Sequence, residues 1–275
     1  VLLEEVGRLR GWTMIAELGT SSSRTSKTIY PDGTLRDEWK LPHAYWEAKD
    51  GHDNLDDEIR KKIAKGYPTD NIIFEDTERA VLYQDGQEEL AIDLRDREQL
   101  ARMLTRFINH IIAPFEDFEK AITSYSDEIR NIATTLKEKI ESAHKDNNAF
   151  KDQFADFMEV CRKSLNPNIS QAAVDEMLIQ HLMTERIIRR VFNVERFTRT
   201  NVIASEIEKV IDALTSRYFE RREFLGALDR FYLAIEDAAN QVREWQDKQQ
   251  FINTVYERFF QGYSVKVADT HGIVY

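Results

Sequence analysis

The chain has 275 residues, 42 % of them hydrophobic and 32 % charged, which fits a folded protein with one large or two smaller domains. A formal net charge of −11 argues against nucleic-acid binding through a broad basic surface. No apolar run approaches the roughly 18 residues of a membrane span, and the start, Val-Leu-Leu-Glu-Glu, has neither the basic nor the apolar part of a secretory signal. A cytoplasmic protein without membrane contact is the expectation. Cys161 is the only cysteine, so an intrachain disulfide is excluded and a cysteine-built zinc site is not expected.

In chain order, Leu2 to Leu9 reads as the end of a helix, with Leu2, Leu3, Val6 and Leu9 at helical spacing. Met14 to Leu18 reads as a strand and Gly19 to Ser26 as a polar loop. Thr28 to Tyr30 and Gly33 to Leu41 read as strands broken by a Pro31-Asp32-Gly33 turn. The stretch Asp37 to Asp50, DEWKLPHAYWEAKD, carries the chemistry. Side chains alternate along a strand, so Glu47 and Lys49 share a face. With Leu41 to His43 as the turn, Asp37 lies across from Glu47, and facing side chains are about 5 Å apart. Two carboxylates so placed can share a divalent cation through oxygen ligands, with an ammonium beside them to hold a water next to a phosphodiester. Asp32 is the rival to Asp37, since a longer hairpin brings it toward Lys49. Of Tyr45 and Trp46, one is expected to face the core.

Asn54 to Lys65 reads as a helix with Leu55, Ile59 and Ile63 in one stripe, capped by Asp53 or Asn54. Lys61, Lys62 and Lys65 are read as a solvated face, with phosphate contact as the alternative. Short strands follow at Asn71 to Phe74 and Ala80 to Tyr83. Strand, strand, helix, strand, strand gives an α+β domain, a small mixed sheet with flanking helices.

Asp37, nine residues, then Glu47-x-Lys49 resembles the PD-(D/E)xK nuclease signature. The wider text, Tyr30-Pro31-Asp32-Gly33-Thr34-Leu35-Arg36-Asp37, Tyr45-Trp46-Glu47-Ala48-Lys49-Asp50, Lys65-Gly66-Tyr67-Pro68 and Asn71-Ile72-Ile73-Phe74-Glu75-Asp76, is similar to the N-terminal nuclease region of single-chain restriction-modification enzymes of type IIG or type ISP. In these, nuclease, helical connector and adenine-N6 methyltransferase follow one another. The resemblance implies Mg²⁺-dependent hydrolysis of double-stranded DNA, with Asp37 and Glu47 as metal ligands, Mn²⁺ as a substitute ion, and Lys49 positioning the attacking water. The family has a longer helical lead before Leu2, and an acidic helper there has no counterpart in this sequence.

From about Asp96 the pattern is helical. Phe118, Ile122, Tyr125, Ile129, Ile132 and Leu136 recur in steps of four and three, a coiled-coil-like seam. Phe150, Phe154, Phe157 and Cys161 make a second stripe, and Ser170 is expected to cap the helix after Leu165-Asn166-Pro167-Asn168. Helices are expected over Val174 to Phe192, Ile203 to Val242 and Trp245 to Phe260, as an irregular all-α bundle. The six histidines are scattered and expected to be structural, and Cys161 to be a buried small hydrophobe.

Residues 1–96 are thus expected to be the endonuclease domain, 97–261 the helical connector, and 262–275 the start of a methyltransferase. S-adenosylmethionine would belong only to that further methyltransferase part, since no Gly-rich loop for it and no Asn-Pro-Pro-aromatic motif occurs. Sequence choice would lie in a target-recognition domain also outside this stretch, which reads as an excerpt. Val1 to Asp96 contains 13 Lys and Arg against 21 Asp and Glu, a net −8, so most phosphate contacts must come from elsewhere. Arg189, Arg190 and Arg196, in a cluster with Arg186, Arg199, Arg217, Arg221 and Arg222, are the candidate DNA-binding residues. The plainer reading is a helical face balanced by Glu185, Glu195, Glu220 and Glu223. Two alternatives for the whole remain, an inactive helical scaffold and a repair-type nuclease of the same fold.

Overall fold

In this computed structural model, residues 2–25, 27–51, 54–192, 202–218 and 221–258 are described, without the side chains of 125, 126, 202, 216–218, 222 and 223. The chain divides into an α+β unit, residues 1–116 with 240–251, and a helical unit, residues 117–239 with 252–275.

The first unit is built on a six-stranded sheet. Its strands are β1 (Thr13–Ala16), β4 (Gly33–Arg36), β5 (Pro42–Ala48), β6 (Asn71–Glu75), β7 (Arg79–Gln84) and β8 (Gln87–Asp93), in that spatial order. A small separate ribbon pairs β2 (Thr20–Ser21) with β3 (Thr28–Ile29). Neighbouring strands are antiparallel except β5 and β6, which run parallel. A parallel pair needs a crossover, and α2 (Leu55–Ala64) supplies it. Asn54 caps α2, its side chain accepting from the Asp57 N–H; the other expected cap, Asp53, lies outside the described residues.

The sheet is covered on both faces. One face packs Leu35, Ala44, Ile73, Ala80, Leu82 and Ile92 with Trp12 and with Met103 and Phe107 of α3 (Arg97–Asn109), and α1 (Leu2–Arg8) leans on β1 beside it. The other packs Tyr45, Ile72, Phe74 and Val81 against Leu55 and Ile59 of α2. Tyr45 is therefore core, while Trp46 is half-buried and packs against the opposite face. The α+β unit continues past the expected boundary at Asp96, because α3 closes one face of its core.

Strand β8 was not expected from the sequence. It follows Asp85 and Gly86, both in the left-handed region at φ 50° and 82°, the conformation a two-residue hairpin turn requires. Asn71, fully buried, ties the layers together. Its amide donates to the carbonyls of His43 (3.1 Å) and Phe107 (2.9 Å), and its oxygen accepts from Gln84 (3.1 Å).

Residues 240–251 return to this unit. In them Asp247 meets Arg36 at 3.1 Å, Glu244 accepts from the Ser21 hydroxyl at 2.9 Å, and Arg243 reaches the Gly66 carbonyl at 3.3 Å.

The rest of the described residues are mostly helical, as expected: α4 (Ala113–Asp146), α5 (Asn148–Ser164), α6 (Gln171–Val191), α7 (Val202–Tyr218), α8 (Arg221–Leu225), α9 (Asp229–Gln241) and α10 (Trp245–Tyr256). The α4 seam buries Phe118, Ile129, Ile132, Leu136 and Ile140. Phe150, Phe154, Phe157 and Cys161 are all buried on α5, and the Ser170 hydroxyl caps α6 by accepting from the Ala173 N–H. The single run expected over Ile203 to Val242 is three α-helices with a 3₁₀ turn at Gly226–Leu228. The expected methyltransferase entry at 262–275 lies outside the described residues. No helix of the described residues is long and apolar enough to cross a membrane.

Candidate active site

The site is assembled at one end of the β4–β5 hairpin. Register decides which acidic residue stands where. Gly33 pairs with Trp46, Thr34 with Tyr45 and Leu35 with Ala44, after which a bulge brings Arg36 opposite Pro42. One step beyond the Gly33–Trp46 pair, Asp32 flanks Glu47, and alternation puts both on the face that Thr34 and Tyr45 share. The Oδ2 of Asp32 accepts from the Ala48 N–H at 2.7 Å, which fixes it beside the strand that carries Glu47 and Lys49.

The expectation that Asp37 lies across from Glu47 is corrected by this register. The turn is Asp37 to Leu41, not Leu41 to His43, and it sits at the opposite end of the hairpin. There Asp37 accepts from the Leu41 N–H (2.9 Å) and pairs with His43 Nε2 (2.9 Å). His43 is stacked on Trp12 with ring centroids 4.7 Å apart. Lys40 adopts φ 67°, and this left-handed residue lets so tight a turn close.

Glu47 is the centre of the constellation. Its side chain is 1 % exposed, and two ammonium groups meet the same oxygen, Oε1. Lys49 donates to it at 2.6 Å, and Lys62 of α2 forms a close ion pair with it. The other oxygen, Oε2, is buried without a hydrogen-bond partner among the described residues. An unpaired carboxylate oxygen is costly to bury, and it is a free position for a cation. Lys62 also donates to the Tyr67 hydroxyl at 3.0 Å and lies 4.5 Å from that ring's centre. Burial works to lower the Lys62 pKa, but its bonds to Glu47 and Tyr67 outweigh that and raise it. Nearby, Glu58 is held below the ordinary carboxylate range by its bond to Lys61 against a smaller effect of burial, with Lys49 and Lys62 contributing.

Tyr67 is placed by the end of α2. Gly66 has φ +85°, and a Cβ there would meet the backbone nitrogens of Arg24 and Ser23 at 2.8 and 2.9 Å. The Tyr67 hydroxyl in turn donates to the Tyr30 carbonyl at 3.2 Å. Lys62 is the residue of this constellation that the strand motif alone does not reveal. The one signal for it in the sequence is the basic second half of α2, Lys61, Lys62 and Lys65, of which Lys62 turns inward.

Among the described residues no group of three or more His, Cys, Asp and Glu side chains is arranged to hold a metal. Two carboxylates are what the hairpin offers. Mg²⁺ is commonly held by one or two carboxylates together with waters and substrate phosphates, so Asp32 and Glu47 fit that ion through their oxygen donors and the open Oε2.

The candidate DNA-binding arginines lie in the helical unit. Arg189 and Arg190 are exposed near the end of α6, and Arg196 and Arg199 lie outside the described residues. Arg189 pairs with Glu185 at 3.4 Å, Arg221 with Glu185 (3.3 Å) and Glu208 (3.0 Å), and Arg186 with Asp229. Much of this cluster is thus ion-paired within its own unit.

Comparison with known proteins agrees with this architecture. Residues 122–247 match the coupler domain of type ISP restriction-modification enzymes, a span that takes in most of the helical unit and the start of the segment that returns to the α+β unit. Over its whole length the chain is similar to part of DrdV in a cryo-electron-microscopy structure of the DrdV–DNA complex, with 34 % identity and a TM-score of 0.52. The chain spans 27 % of that protein's length. No curated protein matches it. The family match and the structural likeness support a fragment of a restriction-modification enzyme, and the fold is an α+β domain followed by a helical region.

Proposed function

We propose that the α+β unit is the metal-dependent endonuclease of a restriction-modification enzyme, hydrolysing phosphodiester bonds of double-stranded DNA. The observation that carries the reading is the half-paired Glu47 carboxylate, buried beside Asp32 with one oxygen open and Lys49 on the other. In this reading Asp32 and Glu47 hold Mg²⁺ or Mn²⁺, which when bound offsets charge on the phosphate and lowers the pKa of a water. Lys49 keeps an ammonium on the same strand face to orient the nucleophile and to meet developing negative charge. The second carboxylate is proposed as Asp32 in place of Asp37, because the hairpin register sets Asp32 beside Glu47.

The DNA partner is supported by likeness to a protein solved with DNA, and the net negative charge of residues 1–96 favours an outside source of phosphate contacts. Arg190, exposed, and Arg189 and Arg196 are proposed for that role. The coupler would connect this unit to methyltransferase and target-recognition domains of the same enzyme and restrain cutting. Residues 240–247 of the coupler match lie within the α+β unit, with Arg243, Glu244 and Asp247 bonded to it.

The test is nicking of supercoiled plasmid by the 275-residue chain with Mg²⁺ or Mn²⁺. The proposal expects cleavage by wild type and none by Glu47→Gln or Lys49→Ala. Cleavage that persists in Glu47→Gln would show that the activity resides elsewhere.

A further inference from the structure

The site holds one cation more than the reading above uses. Lys49 comes with the strand motif. Lys62 comes from α2, yet it meets the same Oε1 of Glu47, and the opposite oxygen has no hydrogen-bond partner among the described residues. Two ammonium groups on Oε1 already offset the charge of Glu47 and Asp32 where a divalent cation has to enter, so the cation competes with them for the carboxylate.

The two lysines are not equally free to yield. Lys49 is two residues from Glu47 on the same strand face, and its backbone N–H is tied to the Glu75 carbonyl at 2.7 Å. Its ammonium stays near the carboxylate whatever binds there. Lys62 hangs on a flexible four-carbon stem from a helix and already has a second anchor, the Tyr67 hydroxyl at 3.0 Å with the aromatic face beneath. Tyr67 is itself fixed by Tyr30 and by the turn at Gly66.

We infer that Lys62 is the displaceable counter-cation of this metal site, seated on Glu47 while the site is free of metal and yielding to Tyr67 when a divalent cation takes the carboxylate. Lys62 is therefore a positioning residue that sets how readily the site loads. The inference rests on the metal-dependent reading of Glu47. It differs from a purely structural ion pair in the sign of one effect. A structural lysine, once removed, would leave metal affinity unchanged or weaker, whereas a competing cation, once removed, leaves it stronger.

The experiment is calorimetric titration of the whole 275-residue chain with Mn²⁺ alone, for wild type, Lys62→Met, Lys62→Arg and Glu47→Gln, with a thermal melt of each. Lys62→Gln, polar and of similar length, replaces Lys62→Met should the apolar variant not fold. The expected result is binding about tenfold or more tighter in the neutral Lys62 variant, near wild type in Lys62→Arg, and absent in Glu47→Gln. Equal or weaker binding in the neutral variant, with Glu47→Gln still abolishing it, overturns the role of Lys62 and leaves the metal site standing. Binding absent from wild type and from the neutral variant alike would remove the metal reading and the inference with it.

Discussion

Asp37→Ala separates a turn residue from a metal ligand. In the wild-type protein Asp37 accepts from the N–H of Leu41, itself fully buried, and pairs with His43, and both side chains are about one-tenth exposed. Truncation strands the Leu41 N–H and the His43 ring nitrogen. A hydrogen bond to a charged group contributes about 1.5–3 kcal/mol, and a stranded buried donor costs a similar amount. A loss of about 3 kcal/mol is the working figure. All four tryptophans, Trp12, Trp39, Trp46 and Trp245, fall in the α+β unit, so urea unfolding followed by tryptophan fluorescence reads that unit selectively. The expected result is a clear drop in the urea midpoint with an unchanged slope, and Mn²⁺ affinity within a factor of about two of wild type once the protein is folded. An unchanged midpoint together with lost Mn²⁺ binding would refute the reasoning and make Asp37 the ligand.

Asp247→Ala should also destabilise the α+β unit, by about 3 kcal/mol, because it strips an ionic partner from Arg36, whose side chain is 4 % exposed and whose Nη2 has no hydrogen-bond partner among the described residues; a fluorescence midpoint equal to wild type would count against it. Glu208 is pushed up by burial and pulled down further by His181 and Arg221, so its folded pKa is lowered from the ordinary 4.5. A carboxyl lowered on folding contributes stability that is full above the unfolded pKa and lost as pH falls through the folded one, so Glu208→Gln should flatten the acid side of the melting-temperature profile below about pH 5, and an unaltered profile would deny the effect. Cys161 is fully buried and its thiol is pushed up to about 11, so Ellman's reagent should label it slowly at pH 8 in the native protein and rapidly in denaturant; fast native labelling would contradict the burial.

Much of this is legible in the sequence alone. Alternation marked β5 and put Glu47 and Lys49 on one face, the cap and apolar stripe marked α2, and the steps of four and three marked the long seam of α4. What the sequence could not settle was register. A positive φ at Lys40 and a bulge after Leu35 set the turn, and those local choices move Asp32 rather than Asp37 beside Glu47. Strand β8 hid behind Glu88 and Glu89, although Asp85-Gly86 was a hairpin signal. The sequence reads Lys61, Lys62 and Lys65 alike, as a solvated face or a phosphate contact, since only the crossover between β5 and β6 turns Lys62 onto Glu47. The return of Asn240–Phe251 to the sheet unit depends on tertiary contacts such as Arg36–Asp247, which no periodicity encodes.

The most direct measurement of the central claim is Mn²⁺ binding to the 275-residue chain, compared among wild type, Asp32→Asn and Glu47→Gln at constant pH and salt. Binding to wild type that both substitutions abolish is the predicted result, with the folded state of each variant checked by its melt. Wild-type affinity retained in both folded variants would contradict a metal centre on these two carboxylates.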